Sequence, residues 1–204
     1  MQTKKGFTLL ELLIVIGILA ILSTTVVLVI NPAQLLKKAR DSQRISDLNS
    51  LKTAIAYYIT ETAVPSIGSA YTVQTYADLV GVDCNATAAA ATSTALTTGG
   101  VGWIPIAFDG ITGGSPIGSL PTDPNKTAAG DTPGRYYVYL VESTTNNTFK
   151  LVANMESTYY SGPSGAGDVE ENDGGIDVGL YEVGNGMSTS ITTGTATCYA
   201  GTGQ

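Results

Sequence analysis

The sequence contains no histidine, only two cysteines and few basic residues in its C-terminal two thirds. Without histidine, the chain cannot form a Ser-His-Asp or Cys-His catalytic arrangement. It also contains no phosphate-binding G-x-x-x-x-G-K-[ST] motif. The adjacent carboxylates Glu170 and Glu171 lie in a glycine-rich stretch and are interpreted as an acidic loop rather than as a glycosidase pair. These features predict that the protein is not an enzyme and that it has no catalytic residues.

Acidic residues dominate the chain from residue 61 onward, which contains 14 Asp and Glu but only three basic residues, Lys126, Arg135 and Lys150. The resulting net charge of −11 predicts repulsion of nucleic acid, so no nucleic-acid partner is expected for this chain alone. Such a surface suits solubility outside the cell or the binding of cations.

A long apolar run, GFTLLELLIVIGILAIL, occupies residues 6–22 and continues to Ile30. The 24 residues from Phe7 to Ile30 would form a helix of about 36 Å, long enough to cross a bilayer core of about 30 Å. Glu11 is the one charged residue in this stretch, and a bare carboxylate inside a membrane costs about 3 kcal/mol. This cost indicates that Glu11 has a function.

Two common kinds of N-terminal segment explain this run incompletely. A secretory signal peptide fits the basic start, Lys4 and Lys5. The apolar run of this chain is longer than that of a signal peptide, however, and no clear cleavage site of the A-x-A type follows it. A plain membrane anchor fits the length but leaves Glu11 unexplained. Basic residues also follow the span, so the distribution of positive charge leaves its orientation open.

The stretch KKGFTLLELLIVIGILAIL, residues 4–22, resembles the prepilin signature of type IV pilins and of the pseudopilins of type II secretion. The resemblance implies that a membrane-embedded prepilin peptidase cuts after Gly6 and that Phe7 becomes N-methylated. In an assembled filament, the Phe7 amine of one subunit would pair with the Glu11 carboxylate of a neighbour. Opposite charges attract strongly in an apolar core, and a wrongly stacked subunit would leave both charges unpaired.

The resemblance favours a structural subunit, or pilin, of a type IV pilus-like surface filament that polymerises through its N-terminal helix. One alternative is a pseudopilin of a type II secretion or DNA-uptake system. Another, from a different class, is a membrane-anchored binding domain that never polymerises. The expected partners are copies of the chain, the prepilin peptidase and, before assembly, the membrane. The precursor is expected in the inner (cytoplasmic) membrane with an extracytoplasmic head, and the assembled protein in a cell-surface filament.

The predicted fold is α+β and type IV pilin-like, with a long N-terminal helix packed on a small antiparallel sheet with long loops. The predicted segments are a leader peptide (1–6), a transmembrane and polymerisation helix (7–30), an amphipathic helical half (31–60) and a soluble acidic head (61–204). Asn31-Pro32 predicts a break in the long helix, because Pro32 lacks an N–H, or the cap and first residue of a new helix.

The amphipathic half combines an apolar stripe with charged residues. Apolar residues at steps of three and four predict the face that packs on the head: Leu48, Leu51, Ile55, Tyr58 and Ile59. The charged residues are interpreted as a solvated face, with weak pairs such as Arg44–Asp47 between neighbouring turns: Arg40, Asp41, Arg44, Asp47 and Lys52.

Strand patterns occur in the second half of the chain. RYYVYLVE (135–142) and TFKLVANM (148–155) predict a hairpin whose turn is centred on Asn146-Asn147. A third strand is predicted at 177–183. The low-complexity segment at 85–100 predicts an exposed loop.

Two further features of the head concern its cysteines and the five residues LPTDP at 120–124. LPTDP resembles a segment found before the sheet of type II secretion major pseudopilins. Cys84 and Cys198 admit one disulfide in an exported protein, closing a loop of about 115 residues and contributing about 4–5 kcal/mol. The alternative is two separate buried thiols.

The loop GAGDVEENDGGID, residues 165–177, concentrates carboxylates and glycine. It is interpreted either as a solvated acidic turn before the last strand or as a calcium site. Calcium takes about six to eight oxygen ligands, and some pseudopilins that the chain resembles bind calcium in a C-terminal loop. The ligands of such a site would be Asp168, Glu171, Asp173 and Asp177. No other cofactor is expected.

Overall fold

In the computed structural model, the described part of the chain is α+β, with two consecutive helices followed by five short strands. The described residues are 6–68, 73–75, 91–92, 95–125, 137–161, 167–176 and 178–186. The helices and strands are α1 (Leu9–Ile30), α2 (Pro32–Glu61), β1 (Val73–Thr75), β2 (Ala91–Thr92), β3 (Val138–Ser143), β4 (Thr148–Ala153) and β5 (Tyr181–Gly184). The predicted α+β class is confirmed.

The two helices meet at Asn31, which adopts a left-handed backbone conformation with φ 44° and ψ 77°. Asparagine tolerates this conformation better than most residues because its short side chain bonds locally. The Asn31 side-chain oxygen accepts a hydrogen bond from the Gln34 N–H at 3.3 Å, and Pro32 is the first residue of α2. Proline is well suited to that position, where its missing N–H is not needed. Both predicted roles of Asn31-Pro32 are therefore confirmed.

The apolar stripe of α2 packs on the sheet, as predicted. Leu48, Leu51 and Ile55 are fully buried, Tyr58 is nearly so, and Ile59 is partly buried. Burial of one such side chain stabilises a fold by about 1.5–3 kcal/mol, so this stripe is a main attachment of the helix to the head.

The strands form one sheet in the order β2-β1-β3-β4-β5. β1 and β2 are parallel, whereas the β1–β3, β3–β4 and β4–β5 pairs are antiparallel. Tyr139 of β3, Leu151 of β4 and Val183 of β5 lie side by side in this register and belong to the core that includes the α2 stripe. The sheet therefore packs one face against α2.

The predicted hairpin is confirmed, with Asn147 at φ 51° in the turn between β3 and β4. The bounds of the predicted third strand are wrong, because β5 begins only at Tyr181. Residues 178–180 form a turn in which Gly179 has a φ of 90°, a conformation that interrupts an extended strand. β1 and β2 were not predicted, and β2 lies inside the segment interpreted as an exposed loop. With three and two residues, these strands are too short to show a periodic pattern.

The segment from residue 95 to residue 125 folds against the core and fixes the position of the LPTDP residues. Trp103 is fully buried, and its Nε1–H donates to the Pro121 carbonyl at 3.1 Å. The Leu120 N–H donates to the Leu96 carbonyl at 2.9 Å. These bonds hold Asp123 close to α2, where its carboxylate is buried.

Candidate assembly site and a buried ion cluster

Helix α1 exposes its whole described surface. Every side chain from Leu9 to Val26, and that of Ile30, is exposed. By length and composition, the Leu9–Val26 window is apolar enough to cross a membrane. An apolar cylinder of this kind requires a cover of lipid or of other helices, and the described part of this chain provides none.

Glu11 is bound by its own chain at the start of α1. Its Oε2 accepts hydrogen bonds from the Thr8 N–H at 2.9 Å and from the Thr8 hydroxyl at 2.8 Å. The Glu11 N–H in turn donates to the Thr8 Oγ1 at 3.2 Å. This reciprocal arrangement is a capping box, and it also places a carboxylate at the positive end of the helix dipole. In a single chain, the Glu11 carboxylate is therefore not bare.

Gly6 and Phe7 precede α1 in a non-helical, exposed segment, and Phe7 is 84% exposed. The Gly6–Phe7 peptide is thus accessible from outside the chain. The predicted Phe7–Glu11 pair joins two subunits and needs the amine that cleavage would release, so a single uncleaved chain does not form it. Cleavage, methylation and this pair remain predictions.

A cluster of five charged side chains at the base of the head was not predicted. Arg44 is fully buried, and Asp123 accepts two hydrogen bonds from its guanidinium, each 2.7 Å long. Asp41 accepts a third at 2.6 Å and Glu156 a fourth at 2.5 Å. Arg40 binds the same Glu156 carboxylate through two nitrogens, at 2.9 and 2.5 Å. The cluster therefore has two cations and three anions.

The interpretation of the charged face of α2 as solvated is wrong for Asp41 and Arg44, which have no exposed surface. The predicted Arg44–Asp47 pair is also wrong, since Asp47 accepts hydrogen bonds from Gln43 and Tyr137 instead. Lys52 is exposed, as predicted. Asp41 and Arg44 are buried because the head supplies carboxylates and N–H groups that bind their charged side chains.

The cluster joins α2 to two loops that are far apart in the sequence. Besides binding Arg44, Asp41 accepts hydrogen bonds from the N–H groups of Glu156 at 2.9 Å and Ser157 at 2.7 Å. Burial alone would lower the pKa of Arg44, but hydrogen bonds and charge from Asp123 and Glu156 outweigh it and raise that pKa above its ordinary value. Arg44 is therefore a permanent cation that fixes the orientation of the helix in the head.

The carboxylates of the acidic loop bind backbone N–H groups of the loop itself and of β5. Asp168 accepts from the N–H groups of Glu170 and Glu171, and Asp173 accepts from those of Gly175 and Glu182. These bonds hold the loop in a fixed shape.

The predicted calcium ligands fall partly within this loop. Glu171 is exposed, Asp168 and Asp173 are half-buried, and Asp177 lies outside the described residues. Among the residues that the structure does describe, no three acidic, histidine or cysteine side chains are grouped as metal ligands. The calcium site remains a prediction.

Glu170 points inward from the same loop and is 6% exposed. Burial raises its pKa to about 7, while the hydrogen bond that it accepts from the Met155 N–H acts in the opposite direction. Glu170 thus differs from Glu156, because Glu156 meets two arginines.

Both predicted disulfide partners, Cys84 and Cys198, lie outside the described residues, and the disulfide remains a prediction.

Comparison with known proteins identifies the N-terminal segment. Residues 1–27 match the family model described as the prokaryotic N-terminal methylation motif. Neither a curated protein nor a solved structure matches the chain. The match covers Gly6, Phe7, Glu11 and most of α1. The long apolar helix, the second helix and a small sheet in which β3, β4 and β5 are antiparallel form a pilin-like α+β arrangement. The chain therefore carries the type IV prepilin-like signature at its N-terminus.

Proposed function

We propose that the protein is a structural, non-catalytic subunit of a type IV pilus-like surface filament and that it polymerises through α1. The main support is the contrast between an α1 whose described surface is entirely exposed and a head that closes its own core around α2. A helix of this kind exchanges a lipid cover for the helices of neighbouring subunits at little hydrophobic cost, because both surroundings are apolar.

In this proposal, Glu11 has one partner before assembly and another after it. In the membrane, the capping box with Thr8 satisfies the carboxylate and lowers the cost of placing it there. Cleavage after Gly6 creates a cationic amine at Phe7, which an apolar filament core makes a strong partner for a carboxylate. Pairing with the Glu11 of a neighbouring subunit then fixes the axial register, because a shifted subunit would leave both charges unpaired.

Replacement of Glu11 by Ala tests this function. We expect Glu11→Ala to leave cleavage after Gly6 largely intact and to abolish or strongly reduce fibres in material sheared from cells. Fibre yield is measured by electron microscopy and cleavage by mass spectrometry of the N-terminus. Glu61→Ala, which removes an exposed carboxylate at the end of α2, is the matched control and should leave fibre yield unchanged. Normal fibre yield from Glu11→Ala would rule out the proposed role of Glu11.

A pseudopilin of a secretion or DNA-uptake machine is the second candidate, and the LPTDP segment favours it. This segment resembles one in major pseudopilins, and its Asp123 binds the buried Arg44 of α2. Sheared cell-surface material separates the two candidates. Abundant fibres composed of this chain support the pilin, whereas cleaved protein that stays in the membrane fraction supports the pseudopilin.

A further inference from the structure

Five side chains at the junction of α1 with the head form a group that neither the sheet nor the ion cluster uses. Leu35 and Leu36 of α2 are 59% and 62% exposed, and Lys37 and Lys38 are half-buried. The Lys38 ammonium lies 3.4 Å from the centre of the Tyr159 ring, and Tyr159 is itself 38% exposed. We call Leu35, Leu36, Lys37, Lys38 and Tyr159 the collar.

The two lysines of the collar differ from the arginines that follow them. Arg40 and Arg44 bind carboxylates of the head, so their charge is balanced within the folded chain. Lys38 is held over an aromatic ring, which orients the ammonium and leaves its positive charge in place. The positive charge directly after α1 is therefore concentrated at Lys37 and Lys38.

The distance along the helix places this charge at the level of lipid headgroups. α1 has 22 residues, about 33 Å of helix, which spans a bilayer core of about 30 Å. Lys37 follows Asn31 by six residues, so it lies at most about 9 Å farther along α2, whatever the angle at Asn31. The headgroup layer is about 5–8 Å thick on each side, and a lysine stem extends its ammonium over several further ångströms.

We propose that the collar docks on the headgroups of anionic phospholipids in the bilayer that holds α1. Lys37 and Lys38 would bind the lipid phosphates, Leu35 and Leu36 would extend the apolar surface of α1 to the acyl boundary, and Tyr159 would occupy the interface that tyrosine favours. The region from residue 61 onward has a net charge of −11 and is repelled by an anionic surface. The collar thus holds the base of the head at the membrane while the acidic remainder points away. This placement depends on membrane insertion of α1 and not on filament formation.

Lipid selectivity of the full chain, reconstituted in phosphatidylcholine vesicles, tests the collar. The measurement compares the association of spin-labelled phosphatidylglycerol and spin-labelled phosphatidylcholine with the protein. We expect the wild type to prefer phosphatidylglycerol and this preference to weaken with added salt. In Lys37→Gln/Lys38→Gln the preference should fall about fivefold for each lysine that is replaced. Lys52→Gln, which removes an exposed lysine farther along α2, is the matched control and should retain the preference.

Three outcomes would overturn this inference. The first is an unchanged lipid preference in Lys37→Gln/Lys38→Gln, and the second is an equal loss in Lys52→Gln. In the third, the double variant changes self-association of the protein in zwitterionic micelles but not lipid selectivity, which would assign the lysines to the acidic head of a second copy. Flotation of the vesicles after carbonate extraction is measured first. A chain that does not float would contradict membrane insertion of α1 and the collar together, whereas normal fibres from the lysine variant would leave the filament proposal intact.

Discussion

The two consecutive helices of this protein place their side chains in opposite ways. In α1, leucine and isoleucine side chains are exposed, and its one carboxylate, Glu11, is bound by a neighbouring threonine. In α2, Asp41 and Arg44 have no exposed surface at all. The difference lies in what each helix meets, because α2 meets carboxylates and N–H groups of its own head, whereas the described part of the chain offers α1 no cover. Polarity alone therefore does not decide which side chains this protein buries.

The strongest test of this comparison removes the cation at the centre of the ion cluster. We expect Arg44→Met to lower the free energy of unfolding by about 3–5 kcal/mol, because it leaves Asp41 and Asp123 buried without their main cation. The measurement is urea unfolding of the full chain in detergent micelles, followed by the fluorescence of its one tryptophan, the buried Trp103.

Arg40→Met is the matched control for this experiment. The Arg40 side chain is 30% exposed, and its removal leaves the hydrogen bond between Arg44 and Glu156 in place. The expected loss is about 0–1 kcal/mol, as for a salt bridge near the surface. Equal losses in Arg40→Met and Arg44→Met would mean that Arg44 is not the centre of the cluster.

A second test concerns Glu170, a buried glutamate that, unlike Glu156, binds no arginine among the described residues. Burial raises the pKa of Glu170 to about 7 in the folded state. As pH rises from about 5 to about 8, Glu170 ionises first in the unfolded chain, so the folded state loses stability on the order of 2–3 kcal/mol through this group. Asp173 acts in the same direction, because burial also raises its pKa.

Glu170→Gln keeps an oxygen to accept the Met155 N–H but cannot ionise. We therefore expect its free energy of unfolding to decline less between about pH 5 and about pH 8 than that of the wild type. Unfolding in urea at four pH values across this range measures the two slopes. Parallel slopes would show that the pKa of Glu170 is not raised in the folded protein.

The ion cluster shows what the sequence can and cannot predict. The helical steps of three and four that mark the buried stripe of α2 continue backward without interruption through two charged positions: Asp41, Arg44, Leu48, Leu51, Ile55 and Tyr58. The burial of Asp41 and Arg44 was therefore predictable from spacing, although their polarity favoured a solvated face. Their partners were not predictable, because Asp123 and Glu156 lie 79 and 112 residues from Arg44.

Local patterns gave the more reliable predictions in the rest of the chain. The β3–β4 hairpin was predicted because its alternation and its Asn146-Asn147 turn are adjacent in the sequence. At the N-terminus, Thr8-Leu9-Leu10-Glu11 follows the T-x-x-E capping-box pattern, which predicts the bond between Thr8 and Glu11 that the sequence analysis did not identify. The proposed filament partner of Glu11 would belong to another chain, and no pattern within one chain specifies the geometry of such a pair.

The smallest expected effect concerns this capping box. Thr8→Val preserves the shape of the side chain but removes the hydroxyl that binds Glu11, so we expect the start of α1 to lose about 1 kcal/mol of local stability. Hydrogen exchange of the full chain in detergent micelles should show faster exchange in the first turn of α1. Thr24→Val is the control, because the Thr24 hydroxyl donates to the Ala20 carbonyl within the helix and has no part in the cap. The urea midpoint of the head should not change in either variant, since every described side chain of α1 is exposed. If the first turn of α1 exchanged at the same rate in Thr8→Val and in the wild type, the Thr8 hydroxyl would not stabilise the start of α1 through Glu11.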